Sequence, residues 1–174
     1  ADVATIATAK TAIDNLLNNV GRSINLADLN GSNGFRLDGI STSDDTGESV
    51  GSAGDINGDG FDDLIIGAPH NFDDFYSGAS FVVFGKASGF DATLNVSTLN
   101  GSNGFRLDGE AEIDFSGNPV SSAGDINGDG FDDLFVAYYT KTGSNPKQYS
   151  DYRVYLRNTA GSAFPTTASA SGTF

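Results

Sequence analysis

Asp55-Ile-Asn-Gly-Asp-Gly-Phe-Asp-Asp63 decides the reading of this chain, because it returns letter for letter as Asp125-Ile-Asn-Gly-Asp-Gly-Phe-Asp-Asp133. Each copy sets oxygen-bearing side chains at alternate positions (Asp55, Asn57, Asp59; Asp125, Asn127, Asp129). Each turns sharply at a glycine (Gly60, Gly130) and ends on a further carboxylate (Asp63, Asp133). Carboxylates crowded this closely repel one another unless a cation sits among them. A hard cation such as Ca²⁺ takes about six to eight oxygen ligands from a compact, flexible loop. An ordinary Asx-type turn would use the same residue types, but two identical copies favour metal binding.

The alternating pattern invites comparison with the twelve-residue EF-hand loop, which needs a bidentate acid at its last position. Counted from Asp55 that position is Ile66, and counted from Asp125 it is Val136, neither of which can bind a metal. The ninth residue is Asp in both copies, and a run of strand-forming residues follows it. The loop is therefore of hairpin type, closed by Asp63 or Asp133, with the Phe61 or Phe131 carbonyl as a further oxygen. By alternation, Asp62 and Asp132 are expected to point away from the ion.

The duplication is wider than the loops. Leu29-Asn-Gly-Ser-Asn-Gly-Phe-Arg-Leu-Asp-Gly39 reappears as Leu99 to Gly109, again 70 residues on, and a long regular period is the mark of propellers and solenoids. Glycine-bounded runs of β-branched and aromatic residues read as strands. In the first unit these are 48–53, 63–68, 80–85 and 104–107; in the second they are 119–123, 133–139 and 151–156. Residues 34–37 form a fourth strand with no blade before it, while the second unit lacks its fourth. The fold class expected is all-β: two four-stranded antiparallel blades of an incomplete propeller behind a short helix. The expected divisions are an N-terminal amphipathic helix (1–24), two repeat units (25–94 and 95–158) and a Ser/Thr/Ala-rich tail (159–174). Ile6, Ala9, Ile13, Leu16, Leu17 and Val20 recur at helical spacing, and packing on its own domain is the expected fate of that helix.

Composition narrows the function. Lys and Arg number 9 against 23 Asp and Glu, for a formal charge of −14. Phosphate backbones and anionic lipid both call for a basic surface, so neither nucleic acid nor electrostatic membrane docking is expected. Cysteine is absent, which removes disulfides, thiolate metal sites and a thiol nucleophile. No apolar run approaches the roughly 20 residues of a membrane span. No signal peptide is visible, and the chain begins with Ala, as removal of a leader or trimming would leave it. No catalytic set emerges: the one histidine, His70, lies near Asp73 and Asp74 in a loop and is expected to be solvated. No serine sits in a nucleophile frame, and the Gly-x-Gly segments lie among acids that would repel phosphate.

The stretch Gly47-Glu-Ser-Val50 … Ala53-Gly-Asp-Ile-Asn-Gly-Asp-Gly-Phe-Asp-Asp-Leu-Ile-Ile-Gly-Ala-Pro69 resembles the FG-GAP repeat of integrin α-subunit β-propellers and their bacterial relatives. The likeness spans residues 25–157. It implies a loop between the first and second strands of each blade that binds Ca²⁺. The implied ligands are Asp55, Asn57, Asp59, Phe61 (carbonyl) and Asp63, and again Asp125, Asn127, Asp129, Phe131 (carbonyl) and Asp133. Two departures stand out: the aromatic of the "FG" element is Thr46 or Ser116, and "GAP" becomes Ala137-Tyr138-Tyr139 in the second unit. The expectation is a non-enzymatic, calcium-binding module with two ion sites, secreted or at the cell surface. It would serve adhesion or contact with a protein or surface ligand. One alternative is a subunit of a head-to-tail assembly of copies of itself by strand or blade exchange; another is an ancillary domain of a secreted hydrolase. Two blades cannot close a ring, since propellers need about four to eight. The orphan strand could belong to a longer propeller, close its own second blade, or complete the second blade of another copy.

Overall fold

A computed structural model describes residues 6, 8–14, 25–70 and 76–138, and the strand 151–155, in which Tyr155 is the one described side chain. Nine strands lie among these residues: β1 (Arg36–Asp38), β2 (Ser49–Gly54), β3 (Asp63–Ala68), β4 (Ala79–Val83), β5 (Thr93–Asn95), β6 (Gly104–Asp108), β7 (Val120–Gly124), β8 (Asp133–Tyr138) and β9 (Asp151–Tyr155). One antiparallel sheet runs β2-β3-β4-β6 and a second runs β7-β8-β9. These are the two expected blades, the first with four strands and the second with three. The first blade takes its outermost strand, β6, from beyond residue 94, so sequence unit and structural blade are out of phase.

The orphan strand behaves differently from one expectation. β1 does not close the second blade of its own chain; it pairs in parallel with β5, with Arg36 opposite Thr93 and Asp38 opposite Asn95. The sequence reading missed β5, which has three residues and no alternation long enough to read. Leu37 and Leu99 pack on a cluster formed by Ala68, Ala79, Phe81 and Val96, and Phe35 stacks on Phe90 at 4.2 Å between ring centroids. Burial of these apolar faces holds the edge segment against the first blade.

A second cluster joins the blades. Ala53, Ile56, Ile65, Val82, Phe84 and Phe105 of the first meet Val120, Leu134 and Val136 of the second. Close approach depends on glycine at the seam. A Cβ on Gly67, the glycine of Gly-Ala-Pro, would stand 1.7 Å from the Gly117 carbonyl oxygen. The Val120 N–H donates to Ser49 Oγ at 3.0 Å, and Asn118 Nδ2 donates to Glu48 Oε1 at 2.6 Å.

At the N-terminus, residues 6 and 8–14 are helical. Ile6 and Ile13 are 59% and 54% exposed, so the apolar stripe does not pack on the sheets at these two positions, contrary to expectation. Leu16, Leu17 and Val20 lie outside the described residues, as do the loop after β8 and the tail. No described helix is long and apolar enough to cross a membrane.

Candidate functional site

Both nonapeptides connect the first and second strands of a blade, residues 55–62 joining β2 to β3 and residues 125–132 joining β7 to β8. A bulge between Ser52 and Gly54 pairs Gly54 with Asp63, and the same shift pairs Gly124 with Asp133. This register brings the ninth residue of the loop back beside its first. The chain turns at Gly58 and Gly60 with φ of +77° and +88°, and at Gly128 and Gly130 with +76° and +91°. Side chains other than glycine rarely tolerate these values.

Asp55 organises the first loop. Its Oδ1 accepts the N–H groups of Gly58 (2.7 Å) and Asp59 (3.0 Å), and its Oδ2 accepts that of Gly60 (2.9 Å). Asn57 Oδ1 accepts from the Asp59 N–H, and Asp59 Oδ1 accepts from the Phe61 N–H. Asp63 is buried and accepts from the N–H of Ile56 at 3.0 Å and of Gly85 at 2.7 Å. The second loop repeats this net: Asp125 accepts from Gly128, Asp129 and Gly130, Asn127 accepts from Asp129, and Asp129 accepts from Phe131. Asp133 is likewise buried and accepts from Ile126.

Burial pushes the Asp63 carboxyl up to about 6 despite the N–H groups of Gly85 and Ile56, and the nearby Asp59 charge adds to the rise. A cation in the loop would relieve both causes. The donor set is all oxygen and suits a hard ion. The geometry stops short of a cage, however: Asn57 Nδ2 donates to Asp59 Oδ2 at 2.9 Å, so the amide presents a donor where a cation needs an oxygen. The one trio of acid or histidine side chains with ligand atoms within 4.8 Å of one another, among the described residues, lies elsewhere, at Asp45, Glu48 and His70. The structure thus gathers Asp55, Asn57, Asp59, Phe61 and Asp63 on one turn, and their counterparts on another, without drawing three carboxylates to one point.

His70 is not the isolated loop residue expected from sequence. Its Nδ1 lies 2.8 Å from Asp45 Oδ2 and 3.6 Å from Glu48 Oε2, and its ring meets Phe115 edge-on at 5.3 Å. Asp73 and Asp74 fall outside the described residues. Asp45 and Glu48 are exposed, and exposed acidic groups commonly gather in this way without an ion. Beside it, burial would raise the Asp44 carboxyl, but the N–H groups of Ser41, Thr46 and Ile40 outweigh it and hold the group below its usual value.

Asp132 points away from its own loop, as alternation suggests, and reaches the other one, where its Oδ2 accepts the Asp55 N–H at 2.9 Å. It lies where a Cβ on Gly54 would be, and the Phe131 ring lies where a Cβ on Gly58 would be. The two loops are therefore in direct contact across the seam. Identity of sequence gave no sign of this, because Asp62, the same residue one repeat earlier, is exposed. Residues 46–83 and 118–156 each match the family model of the FG-GAP repeat, and both matched segments contain one strand–loop–strand unit as described. The chain thus carries two copies of the FG-GAP repeat.

Proposed function

We propose that this propeller-type interaction module binds one Ca²⁺ in each nonapeptide loop and works outside the cell in adhesion or contact between proteins. The observation that carries this reading is the loop itself: five oxygen donors within nine residues, twice, on a turn held by backbone amides. Asp55, Asn57, Asp59 and Asp63, with the Phe61 carbonyl, would hold the first ion. Asp125, Asn127, Asp129 and Asp133, with the Phe131 carbonyl, would hold the second. The ion would neutralise crowded carboxylates and fasten the entry to each blade, so binding would stabilise the fold by linkage. Extracellular modules commonly bind calcium at about 10⁻⁴–10⁻³ M, which suits a chain with no cysteine and a charge of −14. Isothermal titration with Ca²⁺ after complete chelation tests it directly. Two binding events are expected, and loss of one in Asp125→Ala. No heat and no thermal shift would refute the reading.

A further inference from the structure

The seam between the blades shows what each face of a blade buries, and the 70-residue repeat shows that each described blade leaves part of one half of that seam exposed, although Ile66, the counterpart of Val136, is already covered. On the leading face of the second blade Val120 is 5% exposed, yet its counterpart on the first blade, Val50, is 67% exposed. Leu134 is buried and Leu64 exposed; Phe131 is half-buried and Phe61 exposed. The trailing face reverses the roles. Ile56 on the first blade is 0% exposed, and Ile126 on the second is 58% exposed. Gly54 and Gly58 are filled by Asp132 and Phe131, whereas a Cβ at Gly124 or Gly128 would meet nothing within 4 Å.

We infer that the leading face of one copy of this chain docks on the trailing face of another, Phe61 and Asp62 entering the space over Gly128 and Gly124 as Phe131 and Asp132 do within the chain. This names the partner of the interaction module and rests on that reading of the repeat, though not on calcium. Val50 and Leu64 would then be covered, and Ile126 with them. The Asp62 carboxylate would accept the Asp125 N–H. The contact is heterologous, so it closes a ring or extends a filament. β9 has no strand beyond it among the described residues, and β1 pairs only with β5, so a docked copy also offers β1 as the missing outer strand of the second blade.

The two trailing faces differ at several points, among them Glu48 against Asn118 and Ile65 against Phe135, and two of the differences weaken the contact between copies relative to the internal seam. Pro119 stands where Ser49 accepts the Val120 N–H, and Ala137 stands where Gly67 makes room for the Gly117 carbonyl. The methyl group of Ala137 must be accommodated by a small opening at that end. Assembly should therefore depend on concentration.

The test is sedimentation of the full chain in Ca²⁺ at about 0.15 M salt, where long-range repulsion between acidic copies is screened. Over roughly 1–100 µM, the range in which modest interfaces fill, the mean mass is expected to rise above that of the monomer. Val50→Glu spoils only the leading face and Ile126→Gln only the trailing face, so each alone should stay monomeric. An equimolar mixture should form a capped one-to-one pair through the two intact faces, and Ala137→Gly should shift assembly to lower concentration. A monomer throughout overturns the inference. So does a larger species that either variant leaves intact, or a mixture that forms no pair, as association through the N-terminal helix would give. Calcium-dependent melting of the same variants reads the metal proposal separately: assembly without a calcium shift would defeat that proposal alone.

Discussion

The two nonapeptide loops have the same nine residues and nearly the same internal hydrogen bonds, yet they live in different surroundings. The first loop is covered at its glycines by Phe131 and Asp132, while the second is open at the same positions. Ile56 is enclosed by both blades and Ile126 faces solvent. The comparison separates two layers of cause. The turn belongs to the local sequence, since Asp and Asn oxygens satisfy adjacent N–H groups wherever the segment occurs. Burial belongs to position in the array, since among the described residues only the first blade has a neighbouring blade on its trailing side.

Calcium should give the largest effect and should act on both loops. At a free concentration about a hundredfold above the dissociation constant, each site contributes roughly 2.7 kcal/mol. Two sites in a chain of this size correspond to a rise in melting temperature of about 10–20 °C, measured by calorimetry with and without chelator. An equal melting temperature in both conditions would remove the ion from the account of either loop.

Substitution at the paired glycines breaks the symmetry, and monomeric concentrations keep the comparison clean. Gly128→Ala is expected to cost about 1 kcal/mol from its positive φ alone. Gly58→Ala has the same strain and also displaces the Phe131 ring, 2.1 Å from the new Cβ, for about 2–4 kcal/mol in all. Equal urea midpoints for the two variants would contradict the seam. Asp132→Ala should cost about 1.5 kcal/mol by freeing the Asp55 N–H, whereas Asp62→Ala should lie within about 0.5 kcal/mol of the parent, as surface changes usually do.

A pH dependence is expected as well. The folded Asp63 carboxyl lies near 6, above its ordinary 3.8. Its contribution to stability is therefore full below about 3.8 and is lost as pH rises through 6. In chelator, the urea midpoint should increase between pH 7 and pH 5, and calcium affinity should weaken over the same range as protons compete for the site. A midpoint that falls on acidification would contradict the burial assigned to Asp63.

Much of the fold was legible because its signals are local. Asp63–Ala68 reads as a strand from Leu64, Ile65 and Ile66, and the structure places β3 at those residues. Exclusion of the EF-hand needed only Ile66 and Val136. The parallel pairing of β1 with β5 was not legible, because three-residue strands carry no periodicity and their partners lie 57 residues apart, as in the register Arg36↔Thr93. Nor was the role of Asp132, since an identical residue at 62 has a different fate. The group around His70 escaped for a related reason: Asp45 and Glu48 precede it by a full hairpin and meet it only when β2 and β3 pair.

Sequence by itself determined the repeat, its strands, the hairpin loop and the oxygen-rich donor set, because hydrogen bonds and side-chain alternation within a few residues dictate each of them. Tertiary structure alone decided which copy of each residue is covered. That choice depends on what packs across a seam, and 70 residues of repeated sequence say the same thing on both sides of it. Among the described residues the seam forms once, between Val120 and the first blade, while Val50 and Ile126, the counterparts of its buried Val120 and Ile56, stay exposed.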